Sequence, residues 1–359
     1  MDEQTKLGFW GHVRKHRTLI LSIAGVLLIA GITTGVFLLT YHKPVQVKTT
    51  ATVKAAPKPP AVKYYSPLTG LPVADKTATT QPVTAVMIEN SPDARPQSGL
   101  KDSGVVFEAI AEGGITRFMV LYQQEKPALL GPVRSIRVYD AEWVAPFNAS
   151  VAHVGGSAAG LAEIRDGTYR DIDQFFNAAT YYRASDRFAP HDVYTTSTLL
   201  DALNAKKGYT TSVFTGFSRV DGKPATTPTA STINITISSA LYNSSYTYDK
   251  VTNTYARSQG GAPHLDRELG QITPSVVIAM RVDESTVLQD GYREQITTIG
   301  SGPATIFQNG IAIAATWHKT AKTAQITFTD ATTGADVPLI RGQTWIAAVP
   351  NNGGAVTWQ

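Results

Sequence analysis

The sequence predicts an α+β protein, with a mixed α/β N-terminal domain followed by a smaller, mostly-β C-terminal domain, behind one N-terminal transmembrane helix. Three observations predict this organisation. Residues 18–41 are apolar and uncharged, segments typical of strands and helices are mixed between residues 65 and 220, and alternating Tyr and Thr patterns fill the sequence from residue 232 onward. A length of 359 residues is sufficient for two compact domains.

The charge of the chain is concentrated near its N-terminus. Lys and Arg number 32 against 28 Asp and Glu, and residues 1–17 and 42–65 carry net charges of +2 and +5, which leaves −3 for residues 66–359. A mildly acidic folded part argues against a nucleic acid as partner. The sequence has no cysteine, which excludes disulfides, a thiolate nucleophile and a Cys-bearing zinc site. We expect no cofactor and no resident metal.

The N-terminal region predicts a membrane anchor. A basic tail at 1–17 precedes 24 uncharged residues at 18–41, a length that spans the hydrocarbon core as a helix. A cleaved signal peptide is the alternative, although its apolar region is normally shorter. The basic tail places the N-terminus in the cytoplasm and the rest of the chain on the extracytoplasmic side of the cell membrane. Residues 42–64, rich in Pro, Lys and Thr, are expected to form an extended linker.

The N-terminal domain is predicted to span residues 65–220. Its strands are expected at 82–90, 104–112 and 117–124, and its helices at 138–147, 157–167 and 196–207. Thr196 or Ser197 can cap the last helix and Gly208 can end it.

A Pro- and Thr-rich linker at 221–231 separates this domain from the C-terminal domain, residues 232–359. Short β-branched segments with the turn sequences DK, QNG and TTGAD between them predict hairpins.

Two arginines in GPVRSIR (131–137) are the lead candidates for ligand binding. Arg134 and Arg137 flank Ser135 after a Gly-Pro break. In a strand the two side chains would lie on opposite faces, whereas in a helical turn they would share one. A guanidinium binds carboxylate or phosphate in bidentate fashion, but it is equally suited to a structural ion pair.

Two further arginines support this hypothesis. Arg95 lies between two prolines in ENSPDARPQSGL (89–100), and Arg117 follows a Gly pair in EGGITRF (112–118). The alternatives are a rim loop for the first and an ion pair between Glu112 and Arg117 for the second.

The sequence HVGGS predicts a turn that could bind an anion. Gly155 and Gly156 follow a strand, and Ser157 can begin a helix, an arrangement that directs free backbone N–H groups toward one point. The pattern matches neither common phosphate-binding signature, so the alternative is that Ser157 is a simple helix cap.

Three histidines and nearby acids are the candidates for catalysis. Our catalytic candidates are His153, His191, Asp192 and Glu112, and those in the second domain are His264 and Asp266. A carboxylate beside an imidazole can orient it as a general base. The three histidines could also form a metal site, but no established metal-binding spacing is present. The alternative is a set of hydrogen-bonded structural residues.

An ordered series of short motifs resembles the YerB-like lipoprotein family. The motifs are SPLTGL, ENSPDARPQSGL, FEAIAEGGITRF, GPVRSIR, HVGGS and APHDVYT, followed by GGAPHLD and RGQTWIAAVP, between about residues 66 and 350. The resemblance implies an extracytoplasmic bacterial protein with two domains of unknown function. Members typically carry a lipid on an N-terminal cysteine, which this sequence lacks, and the resemblance assigns no catalytic residue.

Three classes of function remain open at this point. The favoured hypothesis is non-enzymatic binding of an anionic envelope component, peptidoglycan or a wall polymer, in a cleft lined by Arg and Gly. The second is a His/Asp-dependent or metal-dependent hydrolase or transferase acting on cell-wall polymers, which requires His153, His191 and Glu112 to converge. The third is a protein-interaction module of the division or wall-synthesis machinery, which an exposed apolar patch would favour.

Overall fold

A computed structural model describes residues 63–286 and 294–359, together with the single residue 27. The predicted cytoplasmic tail, transmembrane helix and nearly all of the first linker therefore lie outside the described residues. Within the described ranges, no helix has the length and apolar character needed to cross a membrane. Residues Val62–Gln359 form one compact unit.

Helices are few and short in this part of the chain. The α-helices are α1 (Val138–Val144), α2 (Ala158–Ile164) and α3 (Ser197–Lys206). Short 3₁₀ helices occur at Thr77–Thr80, Pro92–Ala94, Ala145–Phe147, Gln174–Phe176 and Ala178–Thr180.

Strands make up most of the regular structure. In the first half they are β1 (Tyr64–Tyr65), β2 (Pro72–Val73), β3 (Thr84–Glu89), β4 (Val105–Glu112), β5 (Ile115–Tyr122), β6 (Ser150–Ala152), β7 (Arg170–Asp171), β8 (Tyr182–Arg183), β9 (Val193–Tyr194) and β10 (Arg219–Val220). In the second half they are β11 (Thr232–Thr236), β12 (Ser244–Asp249), β13 (Thr254–Gln259), β14 (Ala262–Pro263), β15 (Leu265–Asp266), β16 (Gly270–Gln271), β17 (Val276–Val282), β18 (Glu284–Thr286), β19 (Glu294–Ile296), β20 (Gly300–Gln308), β21 (Ile311–Lys319), β22 (Thr327–Asp330), β23 (Leu339–Ile340), β24 (Thr344–Pro350) and β25 (Ala355–Trp358).

One ten-stranded mixed sheet organises the molecule. Its order is β22-β21-β20-β17-β24-β4-β5-β3-β6-β7, so five strands from the second half of the chain adjoin five from the first. The two groups meet where β24 pairs parallel with β4, with Trp345 opposite Val106 and Ile346 opposite Phe107. The two halves of the sequence therefore share a hydrogen-bonded sheet.

Both faces of this sheet are covered. On one face α1 and α2 pack over strand residues such as Met87, Phe107 and Ile278, and Trp143 of α1 stacks on Phe107 with ring centroids 5.4 Å apart. On the other face, α3 covers the first-half strands. A five-stranded antiparallel sheet, in the order β14-β13-β12-β11-β25, covers the second-half strands.

The helices occur where the sequence predicts them, and their caps explain the boundaries. The hydroxyl of Thr196 accepts a hydrogen bond from the backbone N–H of Leu199, so Thr196 rather than Ser197 is the cap of α3. Asn309 and Gly310 have φ angles of 57° and 79°, which is the two-residue hairpin geometry that the QNG sequence predicts between β20 and β21. The mixed α+β class, with mostly strands and few helices, is confirmed.

Candidate functional site

An open cleft of about 600 Å³ lies where several of the sequence motifs meet. Three arginines, two aspartates, a histidine and three uncharged residues line it: Arg95, Arg187, Arg267, Asp93, Asp186, His191, Pro96, Phe188 and Ala189. Two segments, 93–96 and 186–191, supply all of these residues except Arg267. Arginine outnumbers aspartate in the lining, so the cleft has a cationic character suited to an anion.

His191 lies in the wall of the cleft and pairs with a buried carboxylate. Its Nδ1 is 2.8 Å from Oε2 of Glu89 and 3.3 Å from Oγ of Ser91. Glu89 is 4% exposed at the end of β3. An ionised carboxylate can only accept a hydrogen bond, so Nδ1 carries the proton. Nε2 makes no hydrogen bond to any described residue, which leaves this nitrogen available to a ligand.

Arg95 is held at the cleft by contacts with its own motif and with residues 241–242. Its Nε donates to Oδ1 of Asn90, and its Nη2 donates to the carbonyl oxygens of Asn90 and Leu241. The guanidinium also lies over the ring of Tyr242, 5.3 Å from its centroid. Burial lowers the pKa of Arg95 from its ordinary value. These bonds use three of the five guanidinium donors, and the two on Nη1 remain for a ligand.

Two arginines that the sequence analysis did not single out complete the cationic lining. Arg187 donates to three carbonyl oxygens in the 93–96 segment, at 2.7–3.2 Å, and so fixes one wall of the cleft to the other. Arg267 pairs with Asp186 across the opening. Two guanidinium N–H donors of Arg187, and more than two of Arg267, make no hydrogen bond to any of the described residues.

The lead candidates Arg134 and Arg137 lie in different environments. Residues 131–137 are extended, with bridges from Val133 to Ile88 and from Ile136 to Gly156, so alternate side chains diverge. The side chain of Arg134 is 27% exposed, and its Nε is 3.3 Å from Oε1 of Glu89. Arg134 therefore contacts the carboxylate that also pairs with His191.

Arg137 and Arg117 are buried partners of Glu112 and are not available to a ligand. Nε of Arg137 donates to Oε2 of Glu112 at 3.0 Å, and Nη2 of Arg117 donates to Oε1 at 3.1 Å. Burial opposes ionisation of Glu112, but the charges of the two arginines outweigh it, and the pKa of this carboxyl is below its ordinary value. This cluster is the structural alternative considered for these residues, because Arg117 and Arg137 are only 4% and 5% exposed.

The HVGGS turn is already satisfied by the protein itself. The backbone N–H of Gly155 donates to Oδ1 of Asp173 at 3.1 Å, and Ser157 caps α2 by accepting from the N–H of Gly160. Gly156 approaches the backbone of Ile136 too closely for a side chain, since a Cβ there would lie 2.9 Å from its carbonyl oxygen. The turn is therefore an internal carboxylate-binding site, which corrects the expectation of an open anion site.

His153 is part of the same internal cluster. It is fully buried, with Nδ1 2.8 Å from the carbonyl oxygen of Gly155 and Nε2 3.1 Å from Oδ1 of Asp171. Both ring nitrogens thus face acceptor oxygens, and both bonds form only when the ring is doubly protonated. Arg165 closes the cluster by donating to Asp173.

His264 and Asp266 connect the second half of the chain to the ENSPDARPQSGL motif. Nε2 of His264 is 3.0 Å from Oε1 of Gln97, while Oδ2 of Asp266 accepts from the N–H of Lys101. Burial and the nearby charges of Arg257 and Arg95 lower the pKa of His264 well below its ordinary 6.5. A buried neutral imidazole with these partners has a structural role.

The prediction that Asp192 orients the imidazole of His191 is wrong. The carboxylate of Asp192 pairs with Arg183 at 2.6 Å, whereas the imidazole of His191 pairs with Glu89. Of the three residues that the second hypothesis requires to converge, only His191 lines the cleft; His153 is buried against Asp171, and Glu112 pairs with Arg117 and Arg137. Nor do His, Asp and Glu residues form a metal-holding group anywhere in 63–286 and 294–359.

Sequence reasoning missed Glu89 as the partner of His191. Its signal was present: an acid at the end of the otherwise apolar strand β3 is costly to bury without a partner. Arg187 lies four residues before His191 and just before the APHDVYT motif, whereas Arg267 reaches the cleft only through the fold.

Comparison with known proteins identifies relatives over most of the chain. The family models for the N-terminal and C-terminal domains of DUF3048, a protein of unknown function, match residues 68–210 and 233–346. The chain is similar to "Putative lipoprotein YerB" of Bacillus subtilis (strain 168), with 31% identity over 296 residues, covering 81% of this chain and 88% of the relative.

The fold is also that of a solved structure. The chain is similar to the crystal structure of YerB protein from Bacillus subtilis, with a TM-score of 0.73 and 28% identity, covering 82% of this chain and all of the other. The resemblance noted in the motifs is confirmed.

Proposed function

The chain belongs to the DUF3048 family, and we propose that it is a membrane-anchored, extracytoplasmic protein of the bacterial cell envelope. We further propose that its cleft binds an anionic envelope component. The component would be a wall polymer or peptidoglycan. The observation that carries the proposal is the lining of the cleft, where Arg95, Arg187 and Arg267 face one open volume of about 600 Å³ and retain free donors.

The proposed site contains different residues from the site expected from the sequence. Arg95 remains, Arg134 supports the Glu89–His191 pair from behind, and Arg117 and Arg137 are replaced by Arg187 and Arg267. Rigid side chains favour binding because less conformational entropy is lost when the ligand arrives. Arg95 and Arg187 meet this condition, since backbone carbonyl oxygens hold both guanidinium groups.

The proposed location follows from the N-terminal sequence. The relative is named a lipoprotein, whereas the sequence of this chain contains no cysteine. We assign the anchoring role to the uncharged residues 18–41, with the N-terminus in the cytoplasm, and the spacing role to the linker at 42–64.

Pelleting with cell-wall sacculi tests the proposal. The detergent-solubilised full chain is incubated with sacculi from Bacillus subtilis, and the bound fraction is measured for the wild type, Arg267→Gln and a matched control, Arg281→Gln. Arg281 lies on β17, outside the cleft lining, and donates to the carbonyl oxygen of Asn351. We expect about tenfold weaker binding for the cleft variant only, the effect of one lost charge-assisted bond. Equal binding of all three proteins would refute the proposal.

Hydrolysis of the bound polymer is the second candidate, and the Glu89–His191 pair favours it. A buried carboxylate that fixes Nδ1 and leaves Nε2 facing a cleft is the geometry of a general base. Mass spectrometry of the supernatant from the same incubation distinguishes the candidates. Soluble wall fragments that are absent with His191→Gln would establish an enzyme, whereas intact sacculi with bound protein would leave only the binding function.

A further inference from the structure

We propose that the ligand group recognised in the cleft is a phosphate, and that it binds to the doubly protonated form of His191. This inference rests on the proposed function, since it names the chemistry of the anion that occupies the same cleft. It depends on how Glu89 fixes the proton on one side of the imidazole ring.

The tautomer of the ring decides what His191 offers to the cleft. Because the carboxylate of Glu89, 2.8 Å away, requires a proton on Nδ1, a neutral His191 has its lone pair on Nε2. That lone pair repels an anion in the cleft. A second proton converts Nε2 into a donor and adds a positive charge at the same point. Anion binding and proton uptake by His191 are therefore coupled.

Several charged groups lie near His191 and near the carboxylate that pairs with it. Glu89 is held by Arg134 as well as by the imidazole, with Nε of Arg134 3.3 Å from Oε1. Five segments supply the charged groups that line the cleft or pair with His191 and Glu89: β3, residues 93–96, residues 131–137, residues 186–191 and the β15–β16 turn. These groups are Glu89, Asp93, Arg95, Arg134, Asp186, Arg187 and Arg267. Glu268, whose Oε1 is 3.8 Å from Nε of Arg267, adds a fourth acid, so the attraction for an anion depends on the free guanidinium donors and on the second proton of His191.

The number and placement of donors favour phosphate over carboxylate. A carboxylate presents two oxygens in one plane, which one guanidinium can satisfy. The cleft instead presents free donors from Arg95, Arg187 and Arg267, together with Nε2 of protonated His191, around one volume. A tetrahedral phosphate has oxygens directed to several sides and can use donors from several walls at once.

The cleft also offers an apolar contact to whatever carries the phosphate. Phe188 lines it and is 89% exposed. An aromatic ring exposed in this way can stack on the sugar or polyol of a phosphorylated polymer.

The test compares two preparations of sacculi from Bacillus subtilis. One is untreated and the other is treated with hydrofluoric acid, which releases phosphodiester-linked polymers and leaves peptidoglycan. Binding of the full chain is measured from pH 5 to pH 8, the range in which histidine side chains change charge, for the wild type and His191→Gln. His153→Asn, which alters a buried histidine outside the cleft, is the matched control.

We expect the wild type to bind untreated sacculi about tenfold more tightly at pH 5 than at pH 8, and acid treatment to abolish this binding. His191→Gln should lose the pH dependence while His153→Asn keeps it, and inorganic phosphate should compete. Equal binding to both preparations would overturn the phosphate assignment while the proposed function stands. An unchanged pH profile in His191→Gln would overturn the role of His191. Failure to bind either preparation would instead refute the proposed function itself.

Discussion

The guanidinium of Arg257 lies 4.4 Å from the ring centroid of Trp345, and both side chains donate to the same carboxylate oxygen of Glu108. The donor–acceptor distances are 2.8 Å from Arg257 and 2.9 Å from Trp345. Glu108 belongs to β4 in the first half of the chain, whereas its two partners belong to β13 and β24 in the second. All three side chains are at most 1% exposed. This buried cluster joins the two halves at the seam of the ten-stranded sheet.

Removing the charge of Glu108 should destabilise the whole compact unit. Glu108→Gln leaves Arg257 buried without a counter-charge, and breaking such a pair costs about 3–5 kcal/mol of unfolding free energy. Replacing both partners, in Glu108→Gln/Arg257→Met, should cost less than the single change, because no charge remains buried and the amide oxygen can still accept from Trp345. Urea denaturation measures both, with Asp221→Asn, which breaks an exposed pair with Arg341, as a control. A single variant as stable as the control would contradict this account.

The Glu112 cluster should contribute to stability and not to binding. Glu112→Gln removes the counter-charge of the buried Arg117 and Arg137, and we expect a loss of about 1–3 kcal/mol, reduced from the fully buried case because Glu112 is 23% exposed. Binding to sacculi, measured per mole of folded protein at low temperature, should equal that of the wild type. Selective loss of binding in a fully stable variant would return Arg137 to the list of ligand-binding residues.

Asp140 gives the protein a specific pH dependence of stability. Burial, partly opposed by a backbone hydrogen bond from Arg137, raises its pKa from 3.8 to about 7. The folded state therefore holds a proton that the unfolded state releases between about pH 4 and 7, and this contribution to stability is lost as the pH rises through that window.

Asp140→Asn should remove this dependence while keeping an oxygen to accept from the N–H of Arg137. The unfolding free energy of the variant should rise relative to the wild type by at most about 1.4 kcal/mol per pH unit from pH 4 to 7, then stay constant above pH 7. Parallel curves for the two proteins, from chemical denaturation at each pH, would show that Asp140 does not titrate in this way.

His153 should behave as a structural residue. His153→Asn loses at least one of the two bonds, to Gly155 and Asp171, and we expect about 1–3 kcal/mol of destabilisation. Because the residue is fully buried outside the cleft, the affinity for sacculi should not change. Thermal unfolding and pelleting assays check the two statements, and a variant with normal stability but lost binding would contradict both.

The sequence predicted local structure better than the partners of its charged residues. Helices α2 and α3 begin directly after the predicted caps Ser157 and Thr196, and α1 begins at the predicted position 138. These signals act within a few residues, so they do not depend on the rest of the fold. The parallel pairing of β4 with β24 joins residues more than 200 positions apart, and no local pattern encodes it.

The candidate site shows the same limit. Arg95 and His191 were recognised from their motifs, yet the partner of His191 is Glu89, 102 residues away, and not the adjacent Asp192. The carboxylate of Asp192 pairs instead with Arg183. Likewise, Arg137 matched the pattern of a ligand-binding residue, but the fold pairs it with Glu112, the last residue of β4.

Photocrosslinking from the mouth of the cleft tests the central claim most directly. A photoreactive phenylalanine analogue is incorporated in place of Phe188, 89% exposed in the cleft, or in place of Val251, 95% exposed in the turn between β12 and β13. Both full-length proteins are irradiated in Bacillus subtilis cells. We predict adducts with envelope material from position 188 that Arg267→Glu abolishes, and none from position 251. Equal adducts from both positions, or adducts at 188 that Arg267→Glu leaves unchanged, would contradict binding in this cleft.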